Sequence, residues 1–407
     1  MIALSTDSLF FAVLLVLAPL LLRNNKPFRR YIFLALNVIV FAVSMTSLLQ
    51  AAVAAAWLLA PYFYIKYSSK LDAAKREQLH LNGIMIGFML VVFVYLQHYN
   101  FVLALVPERL QTPFRILGLS YFLFREIDFI MQYDYLKEEK IRLSLVDYLN
   151  YNLGFYCLLA GPILRYEEFV TDFYTEKEPL SGSEIYKQLN RAVNGYLKVY
   201  VVSAILSYYA GHWFAGLGTH SGVITTAGAF IIFALLNGWY IYFNFSGYCD
   251  IVIAFANLAG ITVHENFNQP YLARSVVEFW NRHHITLSEW IRDYIFSPLF
   301  KMLISGPCEK NMKLGQYIAL FITFTMAGVW HGTDMNYLIY GLFQGLGIVV
   351  ATIWKENRKK LLGKEKNKAY EKSIVATWCG RFVTWMYICC TFAFVGYDLT
   401  GMIMGKL

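Results

Sequence analysis

Apolar runs long enough to cross a bilayer recur along this chain, and no other feature constrains its fold as strongly. A helix needs ~17–25 mostly apolar residues to cross the hydrocarbon core. Runs of that kind cover 8–22, 31–49, 50–66, 82–98, 116–133, 147–163, 190–210, 222–243, 313–330, 337–354 and 374–396. The stretch 246–262 is apolar but short and flanked by glycine, which reads as a half-span or re-entrant element. At 58% hydrophobic and only 15% charged, the chain lies outside the composition of soluble domains. The ~10-residue alternating segments of a membrane β-barrel are absent. The expected fold is an all-α polytopic membrane protein of about eleven transmembrane helices with re-entrant or amphipathic helices. The longest polar stretch, 164–189, is a loop or short surface helix, so residues 1–407 are expected to form one integral membrane domain.

Charge sets the expected orientation. Residues 23–30, 66–76 and 355–372 are the basic segments, and all three are assigned to the cytoplasm. The run 313–330 then heads outward, and His331 falls near its outer end or part-way down a recess open to the outside. Segment 278–296 precedes that helix and should lie towards the cytoplasm. The formal net charge of +8 is explained by such topology-setting loops rather than by nucleic acid. No basic residue precedes the first apolar run, which reads as an uncleaved span. The six cysteines, Cys157, Cys249, Cys308, Cys379, Cys389 and Cys390, form no CxxC pair and read as free thiols.

Ionisable groups in lipid cost a few kcal/mol each and are functional candidates by default. The segment "EFWNRHHITLSEWIRDYIF", residues 278–296, places two histidines, two arginines and several acids among aromatic anchors. Its apolar residues recur near helical spacing, so an amphipathic helix at an interface or a polar cavity is expected. His331 sits between Trp330 and Gly332 in "GVWHG". A neutral imidazole can take a proton from a hydroxyl near neutral pH. The alternative is an interfacial histidine anchored beside a tryptophan. His283 and His284, on a helix, would point about 100° apart and form no joint metal site. Either one faces a cavity or both belong to a polar helix face. Asp250 follows a long apolar run and wants a partner, for which Arg165, Arg274 and Arg282 are candidates.

No nucleophile elbow, phosphate-binding loop, HExxH or GxGxxG is present. The GxxxG patterns at 83–87 and 341–345 are expected to mark helix packing. What remains is histidine-based proton transfer, with no metal and no bound cofactor.

Four stretches together resemble the bacterial branch of the membrane-bound O-acyltransferase family. They are "AGPILRYEEF" (160–169), "FSGYCDIVIAFANLAGI" (245–261), "NFNQPYLARSVVEFWNRHHITLSEWIRDYIF" (266–296) and "AGVWHG" (327–332). The resemblance covers about residues 115–350. It implies a ring of about eleven spanning helices around a central tunnel, with cytoplasmic and outer cavities meeting near an essential histidine. The motifs place that residue on His331 and the second family histidine on His284. His283 departs from the pattern, since the family usually has tryptophan there. The implied chemistry is transfer of an acyl group from a cytoplasmic thioester, acetyl-CoA or an acyl-carrier thioester, to a hydroxyl. His331 would act as general base or briefly carry the acyl group, while Asn281, Arg282 or His284 would support the developing oxyanion. Trp330, Asp250 and Arg165 are the further candidates for substrate contacts.

Two branches are open. One O-acetylates exported polysaccharides of the cell envelope; the other moves D-alanine from a carrier-protein thioester towards teichoic acid. The 160–169 and 245–250 stretches resemble the acetylating branch, and "FWNR" the D-alanyl branch. Either implies a bacterial cytoplasmic membrane, an extracytoplasmic SGNH-type acyltransferase partner and a polysaccharide acceptor. The D-alanyl branch adds a phosphopantetheine carrier protein. A transporter or scaffold is the non-enzyme alternative; no inverted repeat supports the first.

Overall fold

The computed structural model describes residues 28–405, apart from 142, 155, 157, 159, 220 and 221. The expected span 8–22 and Cys157 lie outside the described residues. Regular structure among these residues is helical, and the one β feature is a single bridge between Phe267 and His283. The chain divides into two compact units, Met1–Gly195 with Tyr248–His264, and Tyr196–Gly247 with Glu265–Leu407.

The principal helices of the first unit are α1 (Arg29–Val43), α2 (Leu48–Ser68), α3 (Leu81–Leu96), α4 (Leu119–Glu138), α5 (Leu145–Leu153), α6 (Tyr166–Tyr174) and α7 (Gly182–Tyr196). Ser47 starts α2 by accepting from the Gln50 amide at 3.1 Å, which satisfies one of the helix's orphan donors. On α3, Ile84, Phe88 and Val91 point outward, Val91 with 71% of its surface uncovered. Such a bare apolar face on a helix suits lipid, not water.

The second unit holds α8 (Ser203–Gly216), α10 (Val276–Trp280), α11 (Ile285–Ile291), α12 (Ser297–Ile304), α13 (Met312–Trp330), α14 (Met335–Lys372), α15 (Ile374–Phe392) and α16 (Leu399–Ile403); α9 (Val223–Leu258) belongs to it up to Gly247. Four described helices, α2, α9, α13 and α14, are long and apolar enough to cross a membrane; α3 is apolar but shorter.

Three expected elements come out differently. Within the stretch 147–163 the described helix is α5, which has 9 residues, about 14 Å at 1.5 Å each, and is too short for a span; it stops before Gly154. The separate run 222–243 and half-span 246–262 merge into α9, one helix of 36 residues. Gly247 costs only about 1 kcal/mol inside a helix, too little to break so apolar a one. The basic segment 355–372 is not a loop but the end of α14, turned at Gly363 with φ 70°. Arg358 holds the returned piece by Asn367 at 2.9 Å and Glu371 at 2.9 Å.

Helices α13 and α14 form the hairpin that carries His331. Asn311 caps α13 by accepting from the Leu314 amide at 3.1 Å. The two helices meet at glycine: a Cβ on Gly328 would come 2.2 Å from the Gly341 Cα, and one on Gly341 would come 2.5 Å from the Thr325 carbonyl oxygen. The 341–345 pattern is therefore a packing surface, as expected. Among the described residues nothing lies within 4 Å of a Cβ added at Gly83 or Gly87.

Candidate active site

The segment expected as one amphipathic helix is a helix–turn–helix. Ser275 caps α10 by accepting from the Glu278 amide, and α10 ends after one turn at Trp280. Residues 281–284 make the turn, and His284 adopts a left-handed backbone, φ 49°, at the start of α11. That conformation is uncommon outside glycine and asparagine. It holds here because both flanks are fixed. The His283 amide donates to the Phe279 carbonyl at 2.8 Å, and the Ser288 hydroxyl donates to the Trp280 carbonyl at 2.9 Å. The Ile285 amide donates to the Asn266 carbonyl at 3.1 Å. The break explains why helical spacing failed: His283 and His284 lie in a turn, so the 100° rule does not describe them.

Asn266, fully buried, organises this turn. Its Oδ1 accepts from the Thr286 amide at 3.2 Å and the Thr286 hydroxyl at 3.0 Å, and lies 3.3 Å from His284 Nδ1. A carbonyl oxygen can only accept, so Nδ1 is the protonated nitrogen of His284 and Nε2 keeps its lone pair. Phe245 stands edge-on to the His284 ring at 4.7 Å. The sequence motif contains Asn266, but nothing in its type or spacing marked it as a partner of His284.

His283 is 5% exposed, and neither ring nitrogen has a hydrogen-bond partner among the described residues. Its ring stacks on Phe279 at 4.9 Å and meets Phe267, Trp280 and Phe392 at 5.0, 5.7 and 5.6 Å. Trp280 is itself fixed, donating from Nε1 to Gln344 at 3.2 Å, while Gln344 donates to the Thr391 hydroxyl at 2.7 Å.

His331 caps the C-terminus of α13, its amide donating to the Gly328 carbonyl at 3.0 Å. Its ring lies 4.6 Å from Trp330 and 5.9 Å from Tyr340. Tyr340 is buried and stands 5.8 Å from Phe392, so His331 and His283 flank one aromatic pair. His331 is exposed at the end of α13. Gly332 is required here, because a Cβ would fall 2.1 Å from the Tyr337 ring.

Burial, with the neighbouring His331, pushes the His283 imidazole down to about 3. Burial, with His283 and His331 nearby, holds His284 well below its ordinary range. A buried cation without a counter-charge is penalised, so both rings are neutral. The imidazoles of His283 and His284 are thus neutral at rest, and His331 acts electrostatically on both.

The other candidates make local contacts of their own. Asn281 is exposed at the end of α10. Arg282 pairs with Glu278 at 2.9 Å and also reaches the Asn268 carbonyl at 3.4 Å. Trp330 is half-buried beside His331. Arg165 and Asp250 belong to the first unit. Arg165 pairs with the buried Asp128 at 3.1 Å, and the same carboxylate accepts from the Tyr151 hydroxyl and the Tyr166 amide. Asp250 pairs with Arg191 at 3.0 Å, an arginine outside the three candidates named from the sequence.

A family model described as the membrane-bound O-acyltransferase family matches residues 109–397. The chain is 31% identical over 270 residues to a probable alginate O-acetylase of Pseudomonas putida, covering 66% of this chain and 49% of that protein. It is 30% identical over 268 residues to a teichoic acid D-alanyltransferase of Streptococcus thermophilus, covering 64% and 62% respectively. The same-named protein of Lacticaseibacillus rhamnosus is 26% identical over 316 residues, covering 74% and 73%. The match thus spans between about half and three quarters of these relatives' own lengths.

Proposed function

The chain belongs to the membrane-bound O-acyltransferase family, and from that premise we propose that it moves an acyl group from a cytoplasmic thioester towards a hydroxyl of an exported cell-envelope polysaccharide. The observation that carries this reading is the accessible His331 at the head of the α13–α14 hairpin, with neutral His284 near it and fixed by Asn266. Acyl transfer needs a base that is uncharged at rest. The acceptor hydroxyl attacks the thioester carbonyl and gives its proton to His331; the carbon–sulfur bond breaks, and the thiolate leaves and is protonated in turn. A protonated Nδ1 fixes the His284 tautomer, and this ring supports the donor or the developing oxyanion. Trp330 lines the approach to His331. Asn281 and Arg282 are peripheral substrate contacts in this reading, and Arg165 and Asp250 are substrate-contact candidates of the first unit.

The proposed donor is acetyl-CoA, and the protein works in a bacterial cytoplasmic membrane with an extracytoplasmic SGNH-type partner that completes the transfer. A ring of about eleven spans around a thinned centre belongs to the same proposal; it would bring donor and acceptor together away from water, which would otherwise hydrolyse the thioester. D-alanyl transfer from a phosphopantetheine carrier is the second reading. It is favoured by one observation: the match covers 62% and 73% of the two D-alanyltransferases but 49% of the alginate acetylase.

The test supplies purified protein and its partner with acetyl-CoA or with a D-alanyl-loaded carrier, and follows thiol release in wild type and His331→Ala. Release from acetyl-CoA that requires His331 is expected. Release from the carrier alone moves the protein to the D-alanyl reading. Release from neither leaves a transporter or scaffold.

A further inference from the structure

We propose that the basic hairpin ending α14, residues 355–372, is a docking surface for the headgroups of anionic phospholipids, a role that does not depend on the acyl-transfer reading. The segment holds eight basic residues against three acids. Charge that only sets topology acts through its number and its place in the chain, and needs no folded shape. This segment is folded. The chain turns back at Gly363, and Arg358 ties the two legs together through Asn367 and Glu371, its guanidinium 4.4–5 Å class stacking being on Tyr370 at 4.6 Å. Both feet are fastened to neighbouring elements. Glu356 pairs with Lys313 at the start of α13 and accepts from the Tyr317 hydroxyl at 3.2 Å, while Arg274 donates to the Glu371 carbonyl at 3.2 Å.

These bonds sort the charges. Glu356 and Glu371 are engaged inside the fold, and so is Arg358. The seven lysines from Lys355 to Lys372 are all exposed, and none makes a hydrogen bond or ion pair among the described residues. An ammonium with three free donors suits a phosphate oxygen. The position says which phosphate. Trp354 and Trp378, on the helices that flank the hairpin, are 57% and 61% exposed, and exposed tryptophan belongs at the membrane–water interface. Ile374 and Val375, just past the second leg, are barer still, a surface that suits lipid. Lys360 lies six residues beyond Trp354 and Lys368 five before Ser373, so Lys355, Lys359, Lys360, Lys368 and Lys372 stand within about 9 Å of the hairpin's feet along the helices. The attraction of a polybasic segment to an anionic leaflet acts over a Debye length of about 8–10 Å. Coenzyme A or an acidic protein would meet the same charges, but neither calls for lysines gathered beside an interfacial tryptophan pair.

The test titrates full-chain protein in a neutral detergent with dioctanoylphosphatidylglycerol and, separately, with dioctanoylphosphatidylcholine and with coenzyme A, and reads apparent Tm. Wild type is compared with a variant carrying Lys355→Gln, Lys359→Gln, Lys360→Gln, Lys368→Gln and Lys372→Gln. A ligand that binds the folded state alone raises Tm with its concentration. Phosphatidylglycerol is expected to raise the wild-type Tm more than the choline lipid does. The concentration giving half of that rise should increase at least about tenfold in the variant, and should increase in wild type with added salt. Each protein is read against its own lipid-free Tm, so a change in starting stability does not enter. An equal half-rise concentration in both proteins, or an equal response to the two lipids, overturns the inference. A lysine-dependent rise with coenzyme A and none with phosphatidylglycerol overturns it too, and makes the hairpin a nucleotide-phosphate site. Acyl transfer is measured in neither arm, so the acyl-transfer reading stands or falls separately.

Discussion

The side-chain oxygen of Asn266 lies 3.3 Å from Nδ1 of His284, and it takes two further hydrogen bonds from Thr286. One buried acceptor thus fixes the tautomer of an imidazole and the start of the helix that follows it. Asn266→Ala removes the acceptor of three hydrogen bonds. A buried donor left unsatisfied costs about 1–3 kcal/mol, so the variant should lose at least about 2 kcal/mol. Thr286→Val removes one donor and should lose less. Apparent Tm in detergent orders the variants; an Asn266→Ala protein as stable as wild type would refute the assigned network.

His331→Ala should behave in the opposite way. The side chain is accessible and its amide bond to Gly328 survives truncation, so Tm should barely move. Acyl transfer should fall by about a hundredfold to ten-thousandfold, the usual worth of a positioned general base. Thiol release at wild-type rate from a well-folded preparation would remove His331 from the mechanism.

Stability should fall with acid. His283 and His284 are held neutral when folded and titrate near 6.5 when unfolded. Below about 6.5 the unfolded chain binds more protons, so their contribution is intact above that pH and is lost as pH falls below it. Each group contributes a slope of about 1.4 kcal/mol per pH unit there. Apparent Tm measured between pH 7.5 and 5 should drop in wild type and drop less steeply in His283→Phe. Equal slopes would mean that His283 is charged in the folded protein.

The two GxxxG patterns should respond differently to a methyl group. Gly341→Ala would force a Cβ against the Thr325 carbonyl and spread α13 from α14, lowering Tm by several degrees. Gly83→Ala adds a Cβ with no described residue within 4 Å and improves helix propensity, so Tm should hold or rise. The reverse order would contradict the glycine contact between the two helices.

Exchanging the charges of Arg191 and Asp250 tests whether Asp250 acts through its partner. Their 3.0 Å pair is largely shielded, so Asp250→Ala should destabilise the protein. The double exchange, Arg191→Asp with Asp250→Arg, should recover stability and thiol release together. Recovered stability without recovered transfer would show a direct substrate role for Asp250.

The amino-acid sequence by itself determined the membrane class, helices α2 and α13 near their expected limits, the start of α14, the glycine contact at 341–345, and His331 and His284 as candidates. These properties are local: hydropathy summed over one helix, spacing within one face, a motif contained in one stretch. It took 147–163 as a span because hydropathy does not register that the helix stops before Gly154. It split α9 at a glycine that the apolar helix absorbs. Helical spacing also drew 278–296 as one element, although anchors outside its periodicity, Asn266 among them, hold His284 in a left-handed turn. What tertiary structure alone decided was the choice of partners: Asn266 for His284, Arg191 for Asp250, Asp128 for Arg165, and aromatic rings instead of hydrogen bonds for His283. Those pairs are separated along the chain by 18, 59 and 37 residues. Many donors and acceptors of the right type compete at such separations, and only the packed geometry brings one of them within bonding distance.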